Sequence, residues 1–388
     1  MLEKIIKFGI FLSLFTPLIV SKGTFFPFIF GKAIFFQVLI EILLVFWLIL
    51  LFQGKINLRW TKLNLALLIY FLILILATFF GVDPIRSFWS TQERMTGTFN
   101  LLHFLGFFFI INSCLKTKKD QLLLLQISLL ASFCVSGFSL LNWDKKSQLS
   151  GPLGNPGFLA VFLLFNIFFA FYLIMKDKNK FLRAIYILIT ILNLVAFYFT
   201  KTYGAFAGLL FGIVTFLLSQ IFFFSGKRRQ LALFFLIVLL ISCTYLFFSQ
   251  RFFQRIETKI RDRQISWGVS WNAFLERPLF GWGPENYIYA WTRHFNPQYK
   301  GGFWFDKAHC QPLEILVTTG IFGFLSYLSI FFVAILNFFR KRNFTFLSLL
   351  VAYFVTNLFW FDTTSSLIPL FITFTLSQAG TKGRMNKI

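Results

Sequence analysis

Residues 305–314 read FDKAHCQPLE, and in a chain that is otherwise mostly apolar they gather Asp306, Lys307, His309 and Glu314 just before a new apolar run. His309 is one of three histidines, the others being His103 and His294. An imidazole titrates near neutral pH and can take up and return a proton, so His309 suits a general base at the mouth of a span that starts near Pro312. A ring hydrogen-bonded to Asp306 or Glu314 is the purely structural use of the same residue. A second candidate lies in SQLSGPLGNPGFLA, 147–160, where Asn155 and Pro156 suit the cap and first position of a helix. The free N–H groups of such a helix end can hold an anion, and a plain cap without a ligand explains the same residues.

Other chemistries find little in the sequence. The loops have no paired carboxylates at ligand spacing, no His-x-x-x-His and no Cys-x-x-Cys, so no metal is expected. Neither glycine-rich nucleotide motif occurs, so no cofactor is expected either. The four cysteines show no disulfide framework.

The elements that must position these residues are membrane helices. The 388 residues are 57% hydrophobic and 13% charged, with 61 Phe, which is too apolar for a water-soluble surface. Taking about 20 apolar residues per crossing, spans are expected near 5–22, 33–53, 64–80, 98–114, 121–141, 157–175, 185–200, 205–225, 231–249, 312–338, 344–361 and 365–379. The fold class is therefore all-α, a polytopic integral membrane protein with about 12 crossings. The first apolar stretch, Ile5 to Val20, reads as a span and not as a removable signal.

Charge sets the orientation. Of 37 Lys and Arg, 21 fall in loops that are cytoplasmic if the N-terminus is, against 7 in the short outer loops. The positive-inside rule then places both termini in the cytoplasm, and the basic excess reports topology and not a nucleic-acid partner. The remaining 9 lie in one long outer segment, which divides the chain into helices over 1–249, an extracytoplasmic loop over 250–311, and helices with a cytoplasmic tail over 312–388. That loop carries Trp267, Trp271, Trp282, Trp291 and Trp304, a composition unlike a disordered linker. Ile260, Trp267, Trp271 and Phe274 recur at helical spacing, predicting an amphipathic helix from Lys259 to Glu276 along the outer membrane boundary.

SFWSTQERMTGTFN, GPLGNPGFLA, the Arg263 to Trp267 spacing followed by ERPLFGWGPENY, and FDKAHCQPLEILVTTGIFGFLSYL occur in this order across residues 80–340. Together they resemble the O-antigen ligase and O-antigen polymerase family of bacterial membrane glycosyltransferases. Two positions depart from the family pattern: Cys310 follows His309 where Asn is usual, and Thr202, Tyr203 and Gly204 stand where a Ser-Arg-Gly is common.

The resemblance implies transfer of a glycan from a polyprenyl-diphosphate-linked donor to an acceptor hydroxyl on the outer face of the bacterial cytoplasmic membrane. The acceptor is a glycan, a glycolipid or a protein. His309 is then the base, and Arg94 and Arg263, which match family motif positions, bind the diphosphate, a task that suits a permanently charged, forked guanidinium. A salt bridge to Glu93 or Asp262 is the structural alternative for these arginines. Trp267, Trp282 and Tyr287 are candidate platforms for sugar C–H faces, although interfacial anchoring explains such rings too. A transporter or flippase of lipid-linked glycans is the competing class, and Glu41 is its clearest mid-span ionisable residue, for which an interhelical hydrogen bond is the simpler use.

Overall fold

The computed structural model describes residues 1–58, 60–247, 250–296 and 304–378, with backbone alone over 242–262. Arg59, Lys300, the basic residues of the C-terminal tail and the side chains of Cys243, Ile260 and Asp262 lie outside the described residues. Fifteen α-helices follow one another: α1 Leu2–Ser13, α2 Phe30–Phe52, α3 Lys62–Phe80, α4 Pro84–Trp89, α5 Thr98–Cys114, α6 Lys118–Leu141, α7 Pro156–Lys176, α8 Lys180–Phe199, α9 Tyr203–Phe223, α10 Lys227–Phe247, α11 Gln250–Glu276, α12 Tyr287–His294, α13 Gln311–Arg340, α14 Phe344–Asn357 and α15 Thr364–Gln378. Among the described residues there is no strand.

Seven of these helices, α2, α3, α6, α7, α8, α9 and α13, are long and apolar enough to cross a membrane. Helix α7 is buried along most of its length and packs against α6, α8, α9, α14 and α15, so it forms the centre of the bundle. Several apolar runs yield shorter helices than their hydropathy suggests. The run 5–22 becomes α1, of 12 residues, and a 3₁₀ turn Thr16–Leu18. At 1.5 Å per residue α1 reaches only about 18 Å. Helices α14 and α15 have 14 and 15 residues; the first ends at Asn357, short of the expected 361, and the turn 358–363 takes the place of its last helical turn.

Helix α13 is bent at Gly320, whose φ of +66° and ψ of −168° interrupt the helical ladder. The freed backbone groups are taken up by the segment just before α12. Ile321 N–H donates to Pro278 O at 2.8 Å, Trp282 N–H to Val317 O at 2.9 Å and Gly283 N–H to Thr318 O at 2.8 Å. This pairing needs backbones in near contact. A Cβ at Gly320 would lie 2.2 Å from Leu279 O, and one at Gly281, at φ +70°, 2.4 Å from Val317 O. The glycines of GWGP and TTG therefore serve one joint, which seats the segment before α12 on α13.

Helix α11 begins nine residues before the expected amphipathic stretch and packs with a different face. Among its described side chains, 263–276, the buried ones are Ser266, Val269, Ser270 and Ala273, a small-residue stripe against Tyr287 and α13, while Trp271 is exposed. Small side chains let the helix approach closely, and that contact outweighs the aromatic stripe that the spacing suggests.

Candidate active site

Arg94 is presented by a tight loop between α4 and α5. Ser90 Oγ accepts from Thr96 N–H at 3.0 Å, Ser90 and Met95 take φ of +74° and +50°, and Gly97 abuts Phe88 O and Ser90 too closely to tolerate a side chain. The guanidinium then forks onto Asp306, Nε to Oδ2 at 2.6 Å and Nη2 to Oδ1 at 2.8 Å. Glu93 lies 3.3 Å away and the Phe361 ring 5.1 Å away. Burial alone would raise the Asp306 carboxyl; the Arg94 fork outweighs it and holds the group below its ordinary range.

Every residue from Asp306 to His309 is tied down by a side chain from elsewhere in the chain. Lys307 Nζ lies 2.6 Å from Glu285 Oε1 and 3.3 Å from Glu314 Oε1. Ala308 N–H donates to Glu314 Oε2 at 2.8 Å, and its carbonyl accepts from Ser266 Oγ at 3.1 Å. His309 O accepts from Arg263 Nη1 at 2.8 Å, and that guanidinium also donates to Phe359 O. Asp306 and Glu314, the expected ring partners, thus hold Arg94 and the main chain instead.

The imidazole itself faces aromatic rings. Phe305 and Phe361 meet it edge-on, with centroids 4.9 and 5.3 Å away, and Nδ1 lies 3.0 Å from Lys307 O. A carbonyl can only accept, so Nδ1 carries the proton and the Nε2 lone pair is left for other chemistry; the tautomer is assigned from this bond. Burial, aided by the positive charge of Arg263 and Arg94, holds the ring's pKa below 6.5. Cys310 is buried beside it, and burial keeps its thiol protonated.

The turn 358–363 is the part of the site that sequence reasoning missed. Phe359 O receives Arg263, Trp360 O receives Gln311 N–H at 2.9 Å, and the Phe361 ring separates His309 and Arg94 from a cavity of about 80 Å³. Asp362 lines that cavity together with Thr96, Glu285, Lys307, Gln311 and Glu314. Burial pushes the Asp362 carboxyl up, although Tyr353, Asn357 and Ser366 all donate to it. The only outward signal in the sequence is the aspartate that ends LFWFD.

The remaining expected residues separate. Trp282 is 4% exposed with its indole N–H on Ala273 O at 2.8 Å, and Tyr287 is fully buried with its hydroxyl among Ser266 and Ser270. Both rings belong to the buried cluster formed by α11, α12 and α13, so neither offers a face to a sugar. Trp267 is half-buried one helical turn from Arg263, and its indole N–H has no hydrogen-bond partner. Asn155 caps α7 by accepting from Gly157 N–H at 2.8 Å, and the Trp360 indole lies against Gly157. The helix end is therefore covered by an indole, which argues for the cap and against an open anion site. Gly204, next to Tyr203, packs on Phe359, so the start of α9 belongs to the same wall. Away from the site, Glu41 Oε1 lies 3.1 Å from His103 Nε2, joining α2 to α5. Among the described residues no three His, Cys, Asp or Glu side chains converge as a metal set would.

Residues 188–328 match the model of the family described as O-antigen ligase. This part of the chain resembles the O-antigen ligase family. It contains Arg263, Trp267, the Lys307 ion pairs and His309, while Arg94, Asn155 and the 358–363 turn lie outside the match. No curated protein matches the chain. With the apolar helices, the O-antigen ligase family match supports an integral membrane protein of glycosyltransferase type.

Proposed function

We propose that the protein transfers a glycan from a polyprenyl-diphosphate-linked donor to an acceptor hydroxyl on the outer face of the bacterial cytoplasmic membrane. The membrane arrangement in this reading has twelve crossings, both termini in the cytoplasm and residues 250–311 outside. His309 Nε2 takes the hydroxyl proton as the acceptor oxygen bonds to the anomeric carbon, and the bond from that carbon to the diphosphate oxygen breaks. The electron pair leaves with the polyprenyl diphosphate, whose growing charge is met by Arg94 and Arg263 in a partly dry site. No metal or cofactor takes part in these steps.

One observation carries the reading: a single four-residue turn, Asp306–His309, holds Arg94 at one end and, at the other, both Arg263 and the imidazole whose Nδ1 is taken up by Lys307 O. Trp267, beside Arg263, is the aromatic platform that remains. The test is to incubate purified protein with an undecaprenyl-diphosphate-linked oligosaccharide and, separately, a glycolipid, a free oligosaccharide and a peptide. A longer glycan, a glycolipid product or a glycopeptide identifies the acceptor class; an intact donor in all three mixtures would remove the transferase reading.

A further inference from the structure

Lys307 is a buried cation for which the transfer steps above have no use. It is 5% exposed, and it is held between carboxylates from two different elements, Glu285 ahead of α12 and Glu314 in the first turn of α13. Glu285 is itself 3% exposed and sits at φ +62°, receiving Thr96 Oγ1 on its carboxylate and Arg86 Nε on its carbonyl at 2.9 Å. Burial would discharge each group; the close opposite charges outweigh it, so Glu285 stays below its ordinary range and Lys307 above its own. Charges taken this far from water are a poor route to stability, because well-packed apolar side chains of the same volume do as well or better. Their value lies in fixing one arrangement.

The arrangement they fix is next to the imidazole. The Lys307 side chain is drawn toward the cavity, and the carbonyl of the same residue accepts the Nδ1 proton of His309, which takes a left-handed φ of +52°. Glu314 holds the clamp from the other side through Ala308 N–H. Arg94 and Arg263 anchor the two ends of the turn independently; its middle is held by Ala308 N–H on Glu314, in the same peptide plane as the Lys307 carbonyl, and the ammonium fixes the Glu314 carboxylate on which that bond depends. We propose that Lys307 is a positioning residue for His309: with its ammonium clamped by Glu285 and Glu314, its carbonyl selects the Nδ1-protonated imidazole and presents a proton-free Nε2. This rests on His309 being the base, and its test has a readout that does not.

Nitrogen-15 spectra of histidine-labelled full-length protein report the tautomer directly, with only three histidines to resolve and His309→Ala to assign the third. The wild type should show His309 protonated at Nδ1, and Lys307→Met should shift it to a mixture or to the Nε2-protonated form. An unchanged tautomer in Lys307→Met would overturn the proposal. Should that variant fail to fold, the charge-balanced Glu285→Gln/Lys307→Met protein takes its place with the same two outcomes. In transfer assays Lys307→Met should lower kcat about tenfold or more with donor KM little changed. In a His309→Ala background it should have no further effect, since residues acting through one group are not additive. A multiplicative loss there would make Lys307 an independent structural element. A fully active His309→Ala protein would instead remove the base reading, leaving the tautomer result to judge the clamp alone.

Discussion

The Asp306–His309 turn and the Glu41–His103 pair both carry acids and an imidazole into an apolar protein, but they are built differently. In the turn, side chains from the α4–α5 loop, α11, the segment before α12 and α13 each hold a different atom, and Phe361 of the 358–363 turn packs on the imidazole. In the pair, one contact at 3.1 Å joins α2 and α5, His103 Nδ1 is on Phe99 O, and half of the Glu41 side chain is exposed on a helix face of apolar residues such as Val38, Ile42 and Val45. A site fixed from five directions has little to reorganise when charge moves, which is what a preorganised reaction centre requires. A single bond between helices is what packing in a membrane uses.

The contrast predicts a steep gradient of effects. Arg263→Ala removes the donor to His309 O and Phe359 O as well as a charge, and should lower transfer by about 10²-fold or more. Arg263→Lys should recover little of it, because a lysine ammonium cannot reproduce the planar fork. Asp306→Asn halves the charge-assisted fork on Arg94 and should cost about tenfold in rate, read as kcat at saturating donor. Acidification should act through His309. Its pKa is below 6.5, so the neutral, active base persists under mildly acidic conditions, and kcat should fall only once pH drops through that lowered value. A profile already falling between pH 8 and pH 7 would contradict this assignment.

Further from the chemistry the readout changes from rate to stability. Trp282→Ala empties the buried cluster between α11, α12 and α13 and should cost about 3–5 kcal/mol of stability, seen as a lower thermal midpoint in detergent with little change in KM for the folded fraction. Smallest of all, Glu41→Gln keeps a hydrogen-bonding partner for His103 Nε2, and Glu41→Leu forfeits a bond worth about 0.6 kcal/mol on average. Both should transfer at close to the wild-type rate. A large loss in Glu41→Gln would turn the comparison around and favour the transporter class.

Much of this arrangement was legible in the sequence, for physical reasons that also mark where legibility stopped. A hydropathy window finds long apolar helices, and a polar decapeptide inside an apolar chain draws attention to His309 because burying Asp, Lys, His and Glu without partners is costly. The same window ran 344–361 together as one span. Phe359, Trp360 and Phe361 are apolar, and nothing local reveals that Arg263 and Gln311, far along the chain, take up the carbonyls of a broken helix. Trp282 and Tyr287 were visible as aromatic residues near an interface, but composition does not say which way a ring turns. Their burial follows from the small-residue face of α11 and from the glycine joint at Gly320, both of which are long-range contacts. Lys307 was read as one more charge of a polar stretch; its significance comes from Glu285, 22 residues away.

The most direct measurement is the transfer rate of purified His309→Ala protein beside the wild type, using the undecaprenyl-diphosphate-linked donor and the acceptor that supports turnover, with matched detergent size-exclusion profiles. Loss of a general base should lower kcat by about 10²–10⁴-fold while the variant elutes as the wild type does. A well-folded His309→Ala protein that transfers at the wild-type rate would contradict the account.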